Sequence, residues 1–157
     1  MPDIVSLEVR SRMMAAIGRR DTRPELVVRR ALHSAGFRFR VDVKKLDGSP
    51  DVVLSKWRTV VFVHGCFWHR HPACRYATTP RTRPDFWRAK FEANRARDHR
   101  NETALLEAGW RVAIVWECGL RLSEHREDNI MRLIEFIRLQ PFSVEKRELP
   151  LIPPSPL

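Results

Sequence analysis

The chain has 157 residues, 43% hydrophobic and 31% charged, enough apolar side chain for one globular core and too much for a wholly disordered chain. No run of about 18 apolar residues offers a membrane span, and the opening "MPDIVSLEVRSRMM" lacks the apolar block of a secretory signal, so a cytoplasmic protein is expected. Lys and Arg number 29 against 19 Asp and Glu, a formal charge of +10; arginine predominates, and its planar fork suits phosphate oxygens and base edges, which points to nucleic acid as the partner.

Residues 1–19 read as a basic amphipathic arm suited to DNA, with Arg10, Arg12, Arg19 and Arg20 flanking Met13, Met14 and Ile17. "TRPELVVRRALHSAG" predicts a helix, because Thr22 and Glu25 have capping-box spacing and Gly36 is a stop signal. "FRFRVDV" (37–43) alternates like a half-buried strand. "KKLDGSP" turns the chain, "DVVL" is a short strand, and "TVVFV" (59–63) is apolar throughout, as a central strand would be. A loop over 64–84 follows, with three prolines and no periodicity. Asp85 to Ala108 is helical with Gly109 as its stop, and "WRVAIVWE" (110–117) is another buried strand. "SEHREDNIMRLIEFIRLQ" is a closing helix with Ile130, Leu133, Ile134 and Ile137 on its apolar side. The tail 141–157 is proline-rich and is expected to stay unpacked and mobile. The fold class expected is α/β: a single domain over 20–140 with a central mixed sheet flanked by helices.

Loops of about 20 residues inside a compact domain are usually functional or disordered. This one opens with "HGCFWHRHPAC" (64–74). Cys66, His71 and Cys74, with Cys118 just past strand 110–117, supply three thiolates and one imidazole, the donor set of a closed structural zinc site. A filled coordination sphere leaves no place for water, so such a metal would hold the loop rather than catalyse. In a reducing compartment these cysteines serve metal binding or burial rather than disulfides.

In "DGSPDVVLSKWRTVVFVHG" an acidic residue enters a strand after a turn, and about ten residues later a buried strand ends in polar groups. This is the skeleton of the PD-(D/E)xK nucleases, with Asp51 in first position and Phe62, Val63 and His64 where the second carboxylate and lysine would stand. A phosphodiester nuclease needs a carboxylate to hold Mg²⁺ and a base to activate water. Asp51 suits the first task and His69 the second, since imidazole titrates near neutrality. Phe67 and Trp68 lie between zinc ligands on a polar loop, and Trp87 opens the next helix. Aromatic faces so placed can enter a base stack where pairing is already weak. Trp57, Trp110 and Trp116 are assigned to strand packing.

Taken together, "RSRMMAAIGRRDTRPE", "GSPDVVL", "VFVHGCFWHRHPAC", "FWRAKFEANRARD" and "GWRVAIVWEC" resemble the very-short-patch repair (Vsr) DNA mismatch endonucleases over residues 9–135. The resemblance implies a PD-(D/E)xK restriction-endonuclease-like fold with a structural zinc, nicking one strand 5′ to the thymine of a T:G mismatch left by 5-methylcytosine deamination. It implies Asp51 as the Mg²⁺-binding carboxylate, joined by the Val63 backbone carbonyl. His69 would activate water with Asp98 and Glu25 in support, and His64 would line the same site. Cys66, His71, Cys74 and Cys118 match the zinc ligands, although "HRHPAC" carries one residue more than the family pattern and leaves His69 a rival to His71. Phe67, Trp68 and Trp87 become a wedge from the major groove, with Met14 a minor-groove partner. Glu25 could equally cap its helix, Asp98 could pair with an arginine on its own helix, and Trp87 could be core. The expected partner is double-stranded DNA with a T:G mismatch, with further mismatch-repair proteins as candidates, no membrane, and a monomeric chain. The alternatives are a related nuclease of different sequence or lesion preference, or a non-catalytic zinc-stapled DNA-binding module.

Overall fold

The computed structural model describes residues 21–139 and 146–149; the arm 1–19, Met14 with it, and the rest of the tail lie outside the described residues. Helix α1 (Arg23–Ser34) begins where expected, with the Thr22 side chain accepting the Glu25 N–H at 3.4 Å. It ends at Gly36, whose φ of 94° turns the chain so that the Phe37 N–H reaches the Leu32 carbonyl at 3.0 Å. Strand β1 (Val52–Leu54) and strand β2 (Thr59–His64) pair antiparallel, Val52 opposite Val61. Helix α2 (Pro84–Glu107) then carries the chain across to β3 (Arg111–Trp116), which lies parallel to β2 with His64 opposite Trp116. A short helix α3 (Cys118–Arg121), which the sequence reading did not anticipate, leads into α4 (Ser123–Arg138).

Two expectations are corrected. Residues 37–43 form no strand: Arg40 alone pairs with Val53, through bonds of 2.9 and 2.8 Å, and Asp42 then takes a φ of 56°, a left-handed conformation that ends the ladder. The tail is not wholly unpacked, because Lys146–Leu149 adds a fourth strand, β4, parallel to β3. The sheet therefore runs β1-β2-β3-β4 and is mixed, as expected.

Alternation along the strands divides the core. Val52, Leu54, Val61, Ala113 and Val115 face α1 and α4 through Val28, Leu32, Leu133, Phe136 and Ile137. Val53, Val60, Phe62, Val112, Ile114 and Trp116 face the opposite side, where Leu105 of α2 and the three cysteines cover them. Between β3 and α4 the fully buried Arg111 spends its guanidinium on Thr59 Oγ1 (3.3 Å), the Ile137 carbonyl (3.3 Å) and the Phe136 carbonyl, so the charge does not go unsatisfied. Among the described residues no helix is long and apolar enough to cross a membrane.

Candidate active site

A cleft of about 910 Å³ opens between α1, the turn before β1, the C-terminal end of β2, and α2. Asp51, Glu25, Val63, His64, His69 and Asp98 all line it, with Phe67 and Trp68 at its wall. Such clefts form at the carboxyl ends of parallel strands because the sheet's own hydrogen bonding stops there.

Asp51 is held at the mouth of β1 by accepting the Val63 N–H on Oδ2 at 2.7 Å. An extended residue turns its N–H and C=O to the same strand edge, so the Val63 carbonyl faces the Asp51 side too. Burial pushes the Asp51 carboxyl up to about 6; the Val63 N–H opposes that, Glu25 adds to it, and Arg29 and His69 lower it. Glu25 does not close a capping box. Its carboxylate accepts instead from the Asp21 N–H (2.9 Å) and from Arg29 (3.2 Å), which also binds Asp21 at 2.5 Å.

His69 Nδ1 donates to Asp98 Oδ2 at 2.6 Å, so Asp98 is paired across to the loop rather than along its own helix. With Nδ1 engaged, Nε2 is the nitrogen left to accept a proton. The His69 ring lies flat on His64, with centroids 3.8 Å apart and planes 5° apart. His64 is buried, and desolvation with the adjacent His69 holds its pKa well below the usual imidazole value, leaving it neutral at pH 7.

Two residues further on, His71 belongs to a different group. Its ligand atom and those of Cys66, Cys74 and Cys118 lie within 4.8 Å of one another, all four residues buried. His71 Nδ1 sits 3.7 Å from Cys66 Sγ and 3.4 Å from Cys118 Sγ. Ligand–zinc bonds of about 2.3 Å to sulfur and 2.1 Å to nitrogen, set tetrahedrally, leave S···N edges of about 3.6 Å, so the spacing fits that ion. Between the two histidines Arg70 takes a φ of 55°; His69 meets Asp98, and His71 lies with the three sulfurs.

The loop has anchors that sequence reasoning missed. Arg70 donates to the carbonyls of Phe67 (3.3 Å), Ala77 (3.1 Å) and Thr78 (2.9 Å) and to Thr79 Oγ1 (3.0 Å), with its guanidinium 3.9 Å above Phe91. Asn94 of α2 donates to the Trp68 carbonyl at 3.1 Å, and Glu117 accepts the Cys66 N–H at 3.3 Å. The only advance signal was an arginine inside a ligand-rich loop, which net charge alone assigned to DNA. Phe67, Trp68 and Trp87 meet edge-on or tilted at 5.0 to 6.0 Å, each half-buried, with the exposed Phe86 extending the group. Trp87 is accordingly neither core nor free.

Residues 2–75 match the family model described as DNA mismatch endonuclease Vsr. Over 120 residues the chain is 52% identical to the type II nicking enzyme V.XorIIP of Xanthomonas oryzae pv. oryzae, covering 76% of this chain and 88% of that protein. It is 44% identical over 139 residues to the DNA mismatch endonuclease Vsr of Escherichia coli K12, spanning 87% of this chain and 88% of the relative. This chain belongs to the Vsr DNA mismatch endonuclease family. It is 42% identical over 138 residues to the type II nicking enzyme V.NmeAIP of Neisseria meningitidis, spanning 88% and 98%. As a Vsr-family member it is a strand-nicking endonuclease, and its substrate is DNA.

Proposed function

We propose that this chain is a Mg²⁺-dependent mismatch endonuclease that nicks one strand of duplex DNA 5′ to the thymine of a T:G pair, on a PD-(D/E)xK-like scaffold. The observation that carries the reading is one cleft holding the Asp51 carboxylate and the His69–Asp98 pair together. Asp51 and the Val63 carbonyl are hard oxygen donors, the kind Mg²⁺ takes, and a cation there would also relieve the burial cost that raises the Asp51 pKa. Bound to them, the ion would supply Lewis-acid stabilisation of charge on the phosphate.

The chain's own groups divide the remaining work. His69 Nε2 takes a proton from the attacking water, while Asp98 fixes the ring and stabilises the imidazolium that forms. Neutral His64 lies against that imidazolium without adding a like charge. Glu25, paired with Arg29, adds a second carboxylate near Asp51 in the cleft without leaving it bare. Cys66, His71, Cys74 and Cys118 hold a structural Zn²⁺ that fixes the loop. Phe67, Trp68 and Trp87, beside the cleft, enter the stack at the mismatch, and the arm 1–19 with Met14 grips the opposite groove.

Nicking of end-labelled T:G and T:A duplexes, with Mg²⁺ and with chelator, tests this. The wild type is expected to cut only the T:G duplex and only with Mg²⁺, and Asp51→Ala to bind it without cutting. Equal cutting of both duplexes would replace the mismatch reading with a nuclease of other preference. Binding without cutting by the wild type would leave a DNA-binding module.

A further inference from the structure

The strand β4 supplies a side chain that bonds the tryptophan lying against two of the histidines. Glu148 Oε2 accepts the indole Nε1–H of Trp116 at 3.2 Å. Its Oε1 lies 2.9 Å from Lys146 Nζ, which also pairs with Glu102 of α2 at 2.6 Å. Trp116 is buried, with its face on His71 (4.2 Å, 9°) and its ring edge-on to His64 (5.3 Å, 70°). Contacts therefore run unbroken from Glu148 through Trp116 and His64 to His69 and Asp98, with a branch to the cysteine cluster at His71.

We propose that Glu148 is a positioning residue for nicking, acting through Trp116 on His64 and His71. This rests on the reading of His64 and His69 as groups of the reaction site. A tryptophan ring can flip about χ2, which exchanges its two edges and keeps much of the same apolar face covered. One directional bond at Nε1 removes that freedom. The carboxylate making the bond is itself fixed by Lys146, which ties it to Glu102 on the cleft-lining helix. The edge strand thus orients the ring that His71 stacks on and His64 meets edge-on.

The test combines steady-state nicking with histidine ring NMR of the DNA-free, zinc-loaded full chain. Glu148→Ala is expected to lower kcat about tenfold, ~1.4 kcal/mol, with KM for the duplex changed less than about twofold. It should also shift the ring resonances of His64 and His71. Glu148→Gln keeps an acceptor for the indole and should restore kcat to within about threefold of wild type. In a Trp116→Phe background, which lacks the N–H, Glu148→Ala should cost nothing more. Additive losses in the double variant, a Gln variant as impaired as Ala, or unmoved histidine resonances would each overturn the proposal. The resonances are read without DNA, so they report this linkage even if the wild type fails to cut a T:G duplex, which would refute the mismatch reading alone.

Discussion

Asp51→Asn isolates what the cleft does to a buried charge. Burial, joined by the nearby Glu25 carboxylate against the opposing Val63 N–H, raises the Asp51 carboxyl from 3.8 to about 6. Two units at ~1.4 kcal/mol each come to about 3 kcal/mol. The native state holds this proton more tightly than the unfolded chain does. The stability is therefore complete below about pH 4, falls as the pH rises from about 4 to about 6, and is flat above. Asparagine removes the charge while its amide oxygen can still accept the Val63 N–H. In magnesium-free buffer at pH 7 the variant should therefore unfold at higher urea than the wild type, by up to about 3 kcal/mol, an upper figure because the group is partly solvated. The two should converge near about pH 4, and added Mg²⁺ should stabilise the wild type alone. Tryptophan fluorescence reads both unfolding curves. A gap that does not change with pH, or an Asn variant weaker than wild type at pH 7, refutes the reasoning.

Asp98→Ala removes the partner of His69 Nδ1 and should cut kcat by about 10- to 100-fold with little change in KM; single-turnover nicking measures it, and an unchanged rate would mean that His69 is oriented by something else. Cys118→Ser should abolish bound zinc, measured by elemental analysis, together with soluble yield; full solubility with unchanged activity would remove the structural-metal reading. Phe67→Ala and Trp68→Ala should each weaken preference for T:G over T:A by about 1–3 kcal/mol, the worth of a base–aromatic stack, and equal losses on both duplexes in a binding assay would count against a wedge. Arg70→Met should lose about 1–3 kcal/mol of stability and open the loop to limited proteolysis between 65 and 83; an unchanged digestion pattern would show that the sulfur cluster holds the loop by itself.

Where local chemistry decides the structure, the sequence was readable. Thr22 and Gly36 bounded α1, the unbroken apolar run from Thr59 marked a central strand, and the Cys-His spacing foretold the buried cluster. Residues 37–43 misled because alternation records only which side chains prefer burial. Pairing also needs a neighbour with free backbone edge, and β1 offers one for Arg40 alone before Asp42 turns away. Lys146–Leu149 was passed over because the tail's prolines suggest a segment that cannot pack, yet these four residues are proline-free and meet the open edge of β3. The anchoring roles of Arg70, Asn94 and Glu117 were not legible, and Trp116, rightly read as strand packing, gave no sign of its stacking on His71. Each acts through a partner distant in sequence or through a left-handed turn, and neither leaves a local pattern.

Cys66, His71 and Cys74 follow β2, and Cys118 follows β3, so a metal among them would rivet the same ends of two parallel strands. Parallel strands meet only after a long stretch of chain has been closed, which is slow. Treated as a cross-link over about 45 residues, the rivet would spare the unfolded chain about 4 kcal/mol of closure entropy. An unravelling molecule that kept its metal would thus retain its hardest contact, and the persistence of the folded form would follow metal release more closely than the loosening of any helix.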